Sequence, residues 1–170
     1  MISTNVLTNG KTKTILLDVT LIISLYLVPT ISHLLALPLY YIEPMRLMLF
    51  VSILYTNRLN AAFIAITLPL FSFAVSSHPV FFKTLLISAE LLMNVFLFYY
   101  LIKITNKPLI AGFVSILVSK LFYYALKYIL LFTALLSGSL VSTPLIVQAI
   151  VTIVFSGLIY LKFYRDRKSA

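Results

Sequence analysis

The chain has 170 residues, of which 62% are hydrophobic and only 10% charged, with a mean hydropathy of +1.10. Soluble domains of this size are nearer half apolar with about a quarter of their residues charged, so the composition excludes an ordinary soluble fold and points to an all-α integral membrane protein. A net charge of +9 and the absence of cysteine bound the rest: the basic residues gather at the ends of apolar runs, where topology accounts for them better than nucleic acid does, and disulfides, thiolate metal sites and cysteine nucleophiles are excluded.

Residues 1–13 read as a polar cytoplasmic tail carrying Lys11 and Lys13. The apolar run that follows is too long for the core of a cleavable signal, and no clear small-residue cleavage site ends it. It reads as span 1, about Thr14 to Pro38, with Asp18 near its start and His33 near its end. Span 2 runs from about Tyr40 to Tyr55, with Pro44 suited to a first helical turn, where a missing N–H costs nothing. A polar turn, Thr56 to Arg58, leads into span 3, about Leu59 to Val75, where Pro69 predicts a kink. Ser76 to Pro79 is a loop by its turn residues. Span 4 runs from Val80 to Ile102, closed by the polar KITNKP, and span 5 from about Leu109 to Leu136. After the uncharged loop SGSLVSTP, span 6 covers Leu145 to about Tyr160. The expected organisation is therefore a six-span membrane domain over 14–163 and a basic cytoplasmic tail over 164–170, with no appended soluble domain. Spans 2, 3 and 6 fall short of the roughly 20 residues a crossing needs, so they require thinned bilayer, borrowed flanks or a partly re-entrant path.

The basic residues fix the expected orientation. With both ends cytoplasmic, Lys11, Lys13, Arg58, Lys103, Lys107, Lys162, Arg165, Arg167 and Lys168 lie inside, and only Arg46 and Lys83 outside, while Lys120 and Lys127 lie within span 5. That bias fits the positive-inside rule.

Span 4 carries the feature around which a site is expected. Lys83, Glu90 and Asn94 stand at i, i+7 and i+11, on one helical stripe with Ile87 between them. The opposite face, with Phe81, Leu85, Leu92 and Phe96, is apolar enough to meet lipid, and Ser88 is its only polar member. Ionisable groups at bilayer depth are costly and usually face protein or a water-filled cavity. In the expected topology Glu43 and Arg46 open span 2 one turn apart and able to pair. His78 and Lys83 flank an outer loop, Lys120 and Lys127 lie on span 5 with Tyr123 and Tyr124, and Gln148 sits one turn into span 6. Most of these groups lie at or above the midplane, with Asn94 just past it and Asp18 alone in the inner half. A channel or proton relay needs polar groups through the full depth. A receptor needs only a cavity open to one side.

The candidate substrate-binding set is Glu43, Arg46, His78, Lys83, Glu90, Asn94, Lys120, Tyr123, Lys127 and Gln148. Four cations against two carboxylates favour an anionic or zwitterionic solute, and Tyr40, Tyr41, Tyr123 and Tyr124 offer stacking surface with a polar tip. Structural alternatives stand beside each role. Glu43 and Arg46 could satisfy one another, and Lys83 could snorkel to headgroups. Lys120 and Lys127 could pair with Glu90, Asp18 with Lys11 or Lys13, and the span-end tyrosines could be interfacial anchors.

The stretch PLYYIEPMRLMLFVSILYTNRLNAAFIAITLPLFSFAVSSHP, together with KTLLISAELLMN, resembles the substrate-binding S components of energy-coupling factor (ECF) transporters in its extracellular loop, short spans 2 and 3 and polar span 4. The resemblance implies an outward-facing pocket for a vitamin-like solute in a prokaryotic plasma membrane. It also implies a coupling transmembrane subunit and two cytoplasmic ATPases as partners. The small residues four apart by which such proteins pack on the coupling subunit would be Thr20 with Ser24 and Ser32 with Ala36, in place of alanine pairs. The His-containing N-terminus of the metal-binding members is missing, so no metal and no cofactor is expected. The other reading of the residues is a non-transporting six-span scaffold of a cell-envelope assembly complex. An enzyme is not expected, since neither a nucleophile with its base nor a close carboxylate pair is evident.

Overall fold

The computed structural model of the chain describes residues 12–24, 39–76 and 80–168, and every regular element among them is helical. α1 covers residues 12–24. A short 3-10 helix, Leu39–Ile42, leads into α2 (Pro44–Tyr55), followed by α3 (Arg58–Ser76), α4 (Phe81–Thr105), α5 (Pro108–Phe132) and α6 (Leu145–Lys168). The tail before residue 12, the second half of the expected span 1 with His33, and the loop residue His78 lie outside the described residues. α3 to α6 are each long and apolar enough to cross a membrane, the make-up of a multi-pass membrane protein. α2, with 12 residues, is about 18 Å long, well short of a ~30 Å hydrocarbon core.

Local sequence explains most boundaries. Pro44 and Pro108 occupy the first turns of α2 and α5, where their fixed φ is pre-set for a helix. Asn57 Oδ1 accepts the Asn60 N–H at 2.9 Å and so caps the start of α3. Asn106, left-handed at φ 52°, ends α4 and reverses the chain within two residues. At two ends the structure departs from expectation. The apolar run of span 5 continues to Leu136, but α5 stops at Phe132. Ala134 turns left-handed at φ 56°, and the Leu136 N–H returns to the Leu130 carbonyl at 3.1 Å, tucking Leu136 into the bundle. α6 runs on to Lys168, eight residues past Tyr160, because Lys and Arg are good helix formers and favour a helix C-terminus. The end of its apolar run is not the end of its helix.

α4 packs between α3 and α5, α5 packs on α6, and α2 closes the ring between α6 and α3. The core inside the ring comes from all five, with Leu49, Ile64, Leu91, Ile116 and Ile159 among its fully covered side chains. Phe50 and Phe155 meet across α2 and α6 with ring centroids 5.7 Å apart. α1 is tied to α3 by Asn60, whose amide donates to Asp18 Oδ1 at 2.8 Å. The partner found for Asp18 is thus an asparagine of another helix.

α5 and α6 approach closely at Gly112. A Cβ there would stand 2.8 Å from Ile159 Cδ1 and 3.5 Å from the Ser156 Cα. Small residues allow such backbone approach, which membrane helices use for packing in place of a hydrophobic drive. Gly112→Ala asks only the tip of Ile159 to move, and is expected to be tolerated. Gly112→Leu must part the two helices, and overpacking of this kind costs about 1–3 kcal/mol. Thermal unfolding in detergent is expected to show a lowered midpoint for the leucine variant alone.

Candidate functional site

The site begins at the entry to α2. Glu43 holds a left-handed backbone at φ 51° and ψ 61°, a conformation that costs a non-glycine residue about 1 kcal/mol or more and persists only where its surroundings impose it. Here the imposing groups are cations on both sides. Arg46, 4% exposed, donates from Nη1 to Glu43 Oε2 at 2.5 Å and from Nη2 to Glu90 Oε1 on α4. Lys120 Nζ, on α5, donates to the other Glu43 oxygen. It also donates to Gln148 Oε1 on α6 at 3.1 Å. That same oxygen accepts the Tyr124 hydroxyl at 2.9 Å, and Gln148 Nε2 donates to the Thr143 carbonyl at 2.8 Å. Two carboxylates and two cations thus form a neutral network joining α2, α4, α5 and α6. Buried charge is tolerable in this form because each ion has its opposite.

One turn deeper on α4, Asn94 is fully buried and donates from Nδ2 to Ser119 Oγ at 3.1 Å. Arg46 Nε, Ser88 Oγ and Asn94 Oδ1 are buried without a hydrogen-bond partner among the described residues. Beyond Asn94 the buried hydroxyls of Ser115, Thr152 and Ser156 bond to carbonyls of their own helices. These satisfied hydroxyls lie among apolar core side chains.

Toward the other end of the site lies a second cluster. Lys127, 3% exposed, donates to the Leu140 carbonyl at 2.8 Å and sits 5.7 Å from the centre of the Tyr123 ring. Tyr123 meets Tyr124 edge to face, centroids 5.4 Å apart. Lys83, half-buried on α4, is near enough for its charge to act on Lys127. Neither lysine makes an ion pair among the described residues. The whole chain has four acidic residues: Glu43 and Glu90 belong to the network, and Asp18 is at the opposite end of the bundle beside Asn60. Asp166 lies 18 residues along α6 from Gln148, about 27 Å at the helical rise. The cluster thus holds two lysines, and no carboxylate pairs with either among the described residues.

The structure therefore brings Glu43, Arg46, Glu90, Lys120 and Gln148 into one network, with Asn94 beneath it and Tyr123, Lys127 and Lys83 beside it. His78 lies outside the described residues. Glu90 is in an internal ion pair with Arg46, and Lys120 turns to Glu43. Ser88, expected on the lipid face, is buried: α4 is covered by neighbours on two sides, so its protected arc is wider than one stripe. Three participants are new: the Leu140 and Thr143 carbonyls, from the loop before α6, and Ser119. The Tyr124 hydroxyl, expected as the polar tip of a stacking surface, bonds in the network. Ser119 joins Asn94, and its place at i, i+4, i+8 with Tyr123 and Lys127 is a signal the sequence contains. Among the described residues, no three His, Cys, Asp or Glu side chains come together as a metal site.

Comparison with protein-family models, curated proteins and solved structures finds no match to this chain.

Proposed function

We propose that the chain is the substrate-binding subunit of an ECF-type importer. It crosses a prokaryotic plasma membrane six times with both ends cytoplasmic. From the outer face it captures a small anionic or zwitterionic, vitamin-like solute, which a coupling membrane subunit and two cytoplasmic ATPases then release inward. The observation that carries this reading is Lys127: a buried lysine whose partner is a neutral carbonyl, within electrostatic reach of a second lysine, with no carboxylate paired to either among the described residues. An unneutralised buried charge is expensive, and an incoming anion offsets that cost. Its acidic group would take the place of the Leu140 carbonyl on Lys127, with Lys83 as a second cation and Tyr123 as a ring to lie against. The neutral network of Glu43, Arg46, Glu90 and Lys120 would form the wall that holds α2, α4, α5 and α6 at fixed spacing.

A scaffold role is favoured by one observation, the self-satisfaction of that network, which needs no ligand. It leaves the Lys83–Lys127 cluster without a purpose. A thermal-shift panel on the purified chain separates the two readings. Stabilisation by one or a few carboxylate- or phosphate-bearing vitamins, and not by their neutral or cationic analogues, is expected of the receptor. No shift across the panel would favour the scaffold.

A further inference from the structure

The outer surface of α4 carries a feature the solute site does not use. Ala89, Leu92, Met93, Phe96, Leu97 and Tyr100 recur at helical spacing and line an open groove of about 600 Å³, bordered by Phe122 of α5 and Arg58 of α3. Its walls are almost wholly apolar, as lipid-facing walls should be, except at one end. There Arg58 is exposed, and its guanidinium lies 4.9 Å from the centre of the Phe96 ring. Lys103, one turn beyond Tyr100 on the same stripe, is exposed too. Arg58 makes no ion pair among the described residues.

Dimensions and charge fit one occupant. From Ala89 to Tyr100 the stripe spans about 16 Å at 1.5 Å per residue, close to half of a ~30 Å hydrocarbon core. That is the reach of an acyl chain within one leaflet. A guanidinium stacked on an aromatic ring is pre-oriented for bidentate bonding to phosphate, and basic positions at the edge of membrane helices recognise anionic headgroups. We propose that this groove is a binding site for an anionic phospholipid, with one acyl chain along α4 and the phosphate on Arg58, supported by Lys103. It is separate from the solute site: the groove uses the exposed side of α4, whereas Glu90 and Asn94 are buried within the bundle.

Native mass spectrometry of the delipidated full chain tests this, with phosphatidylglycerol and phosphatidylcholine of equal chain length as probes. One basic residue near an anionic headgroup contributes about 1 kcal/mol, so the wild type is expected to retain phosphatidylglycerol about 5-fold more than phosphatidylcholine. Arg58→Gln should lower that preference, and Arg58→Gln/Lys103→Gln should bring the two lipids to parity. Ala89→Trp, which fills the groove away from the headgroup, should reduce retention of both lipids while the thermal midpoint is kept. Glycerol phosphate at millimolar concentration should not displace the lipid, because it lacks the acyl chain. Equal retention of the two lipids by the wild type would overturn the proposal. So would a preference undiminished by Arg58→Gln, or displacement by glycerol phosphate alone.

Discussion

Glu90→Leu is expected to be the most damaging single substitution in the bundle. Arg46 is 4% exposed and its charge is shared between Glu43 and Glu90, while Glu43 also serves Lys120. Removing Glu90 leaves the buried Arg46 and the half-buried Lys120 on one carboxylate, with Arg46 Nε already lacking a partner among the described residues. Breaking a buried ion pair from one side costs about 3–5 kcal/mol, because the remaining charge stays desolvated. For a chain of this length that is a fall of roughly 10 °C in the thermal midpoint. The double variant Arg46→Met/Glu90→Leu should recover most of the loss, since replacing both ions with apolar groups of similar volume is often close to neutral. Thermal unfolding of both variants in one detergent gives the comparison. A Glu90→Leu midpoint at wild-type level would mean that the network does not hold the bundle.

Lys127→Met is expected to behave in the opposite way. Lys127 makes one hydrogen bond to a carbonyl of an exposed residue, Leu140, and no carboxylate pairs with it among the described residues. Methionine keeps the length and volume of the side chain and removes the desolvated ammonium. Stability should rise by about 1 kcal/mol, the scale of a poorly compensated polar group. Affinity for an anionic solute should fall at least about 10-fold, since a charge-assisted hydrogen bond contributes about 1.5–3 kcal/mol. A residue that lowers stability and raises affinity belongs to binding, whereas one that raises both is structural. Thermal midpoint and ligand-induced shift, measured on the same preparation, assign Lys127 to one class or the other.

What the sequence disclosed follows the range of the interactions. Glu43 and Arg46 are three residues apart, so their pairing is a matter of local helix geometry and could be anticipated. The shared stripe of Glu90 and Asn94 follows from the 3.6-residue period. The choice of partner across the bundle was not legible: Lys120 meets Glu43, 77 positions away, in place of Glu90. Both carboxylates are chemically equivalent, and only the packing of α2 between α3 and α6 decides between them. Helix ends were legible where Pro44 opens α2 and where the polar turn Thr56 to Arg58 and the polar KITNKP break the apolar runs. They were not legible at Phe132, where hydropathy continues and Ala134 turns the backbone. The lipid-facing reading of Ser88 failed because a central helix is buried on both flanks, which a two-faced projection cannot represent.

The most direct test of the receptor account is native mass spectrometry of the chain purified gently from cells supplied with anionic vitamins, beside the Lys83→Met/Lys127→Met double variant. The account predicts a bound mass below about 1 kDa, the size of a solute that a pocket of ordinary volume encloses, retained by the wild type and absent from an equally folded variant. A wild type that carries no such adduct under any supplied anion, or a variant that retains it undiminished, would contradict it.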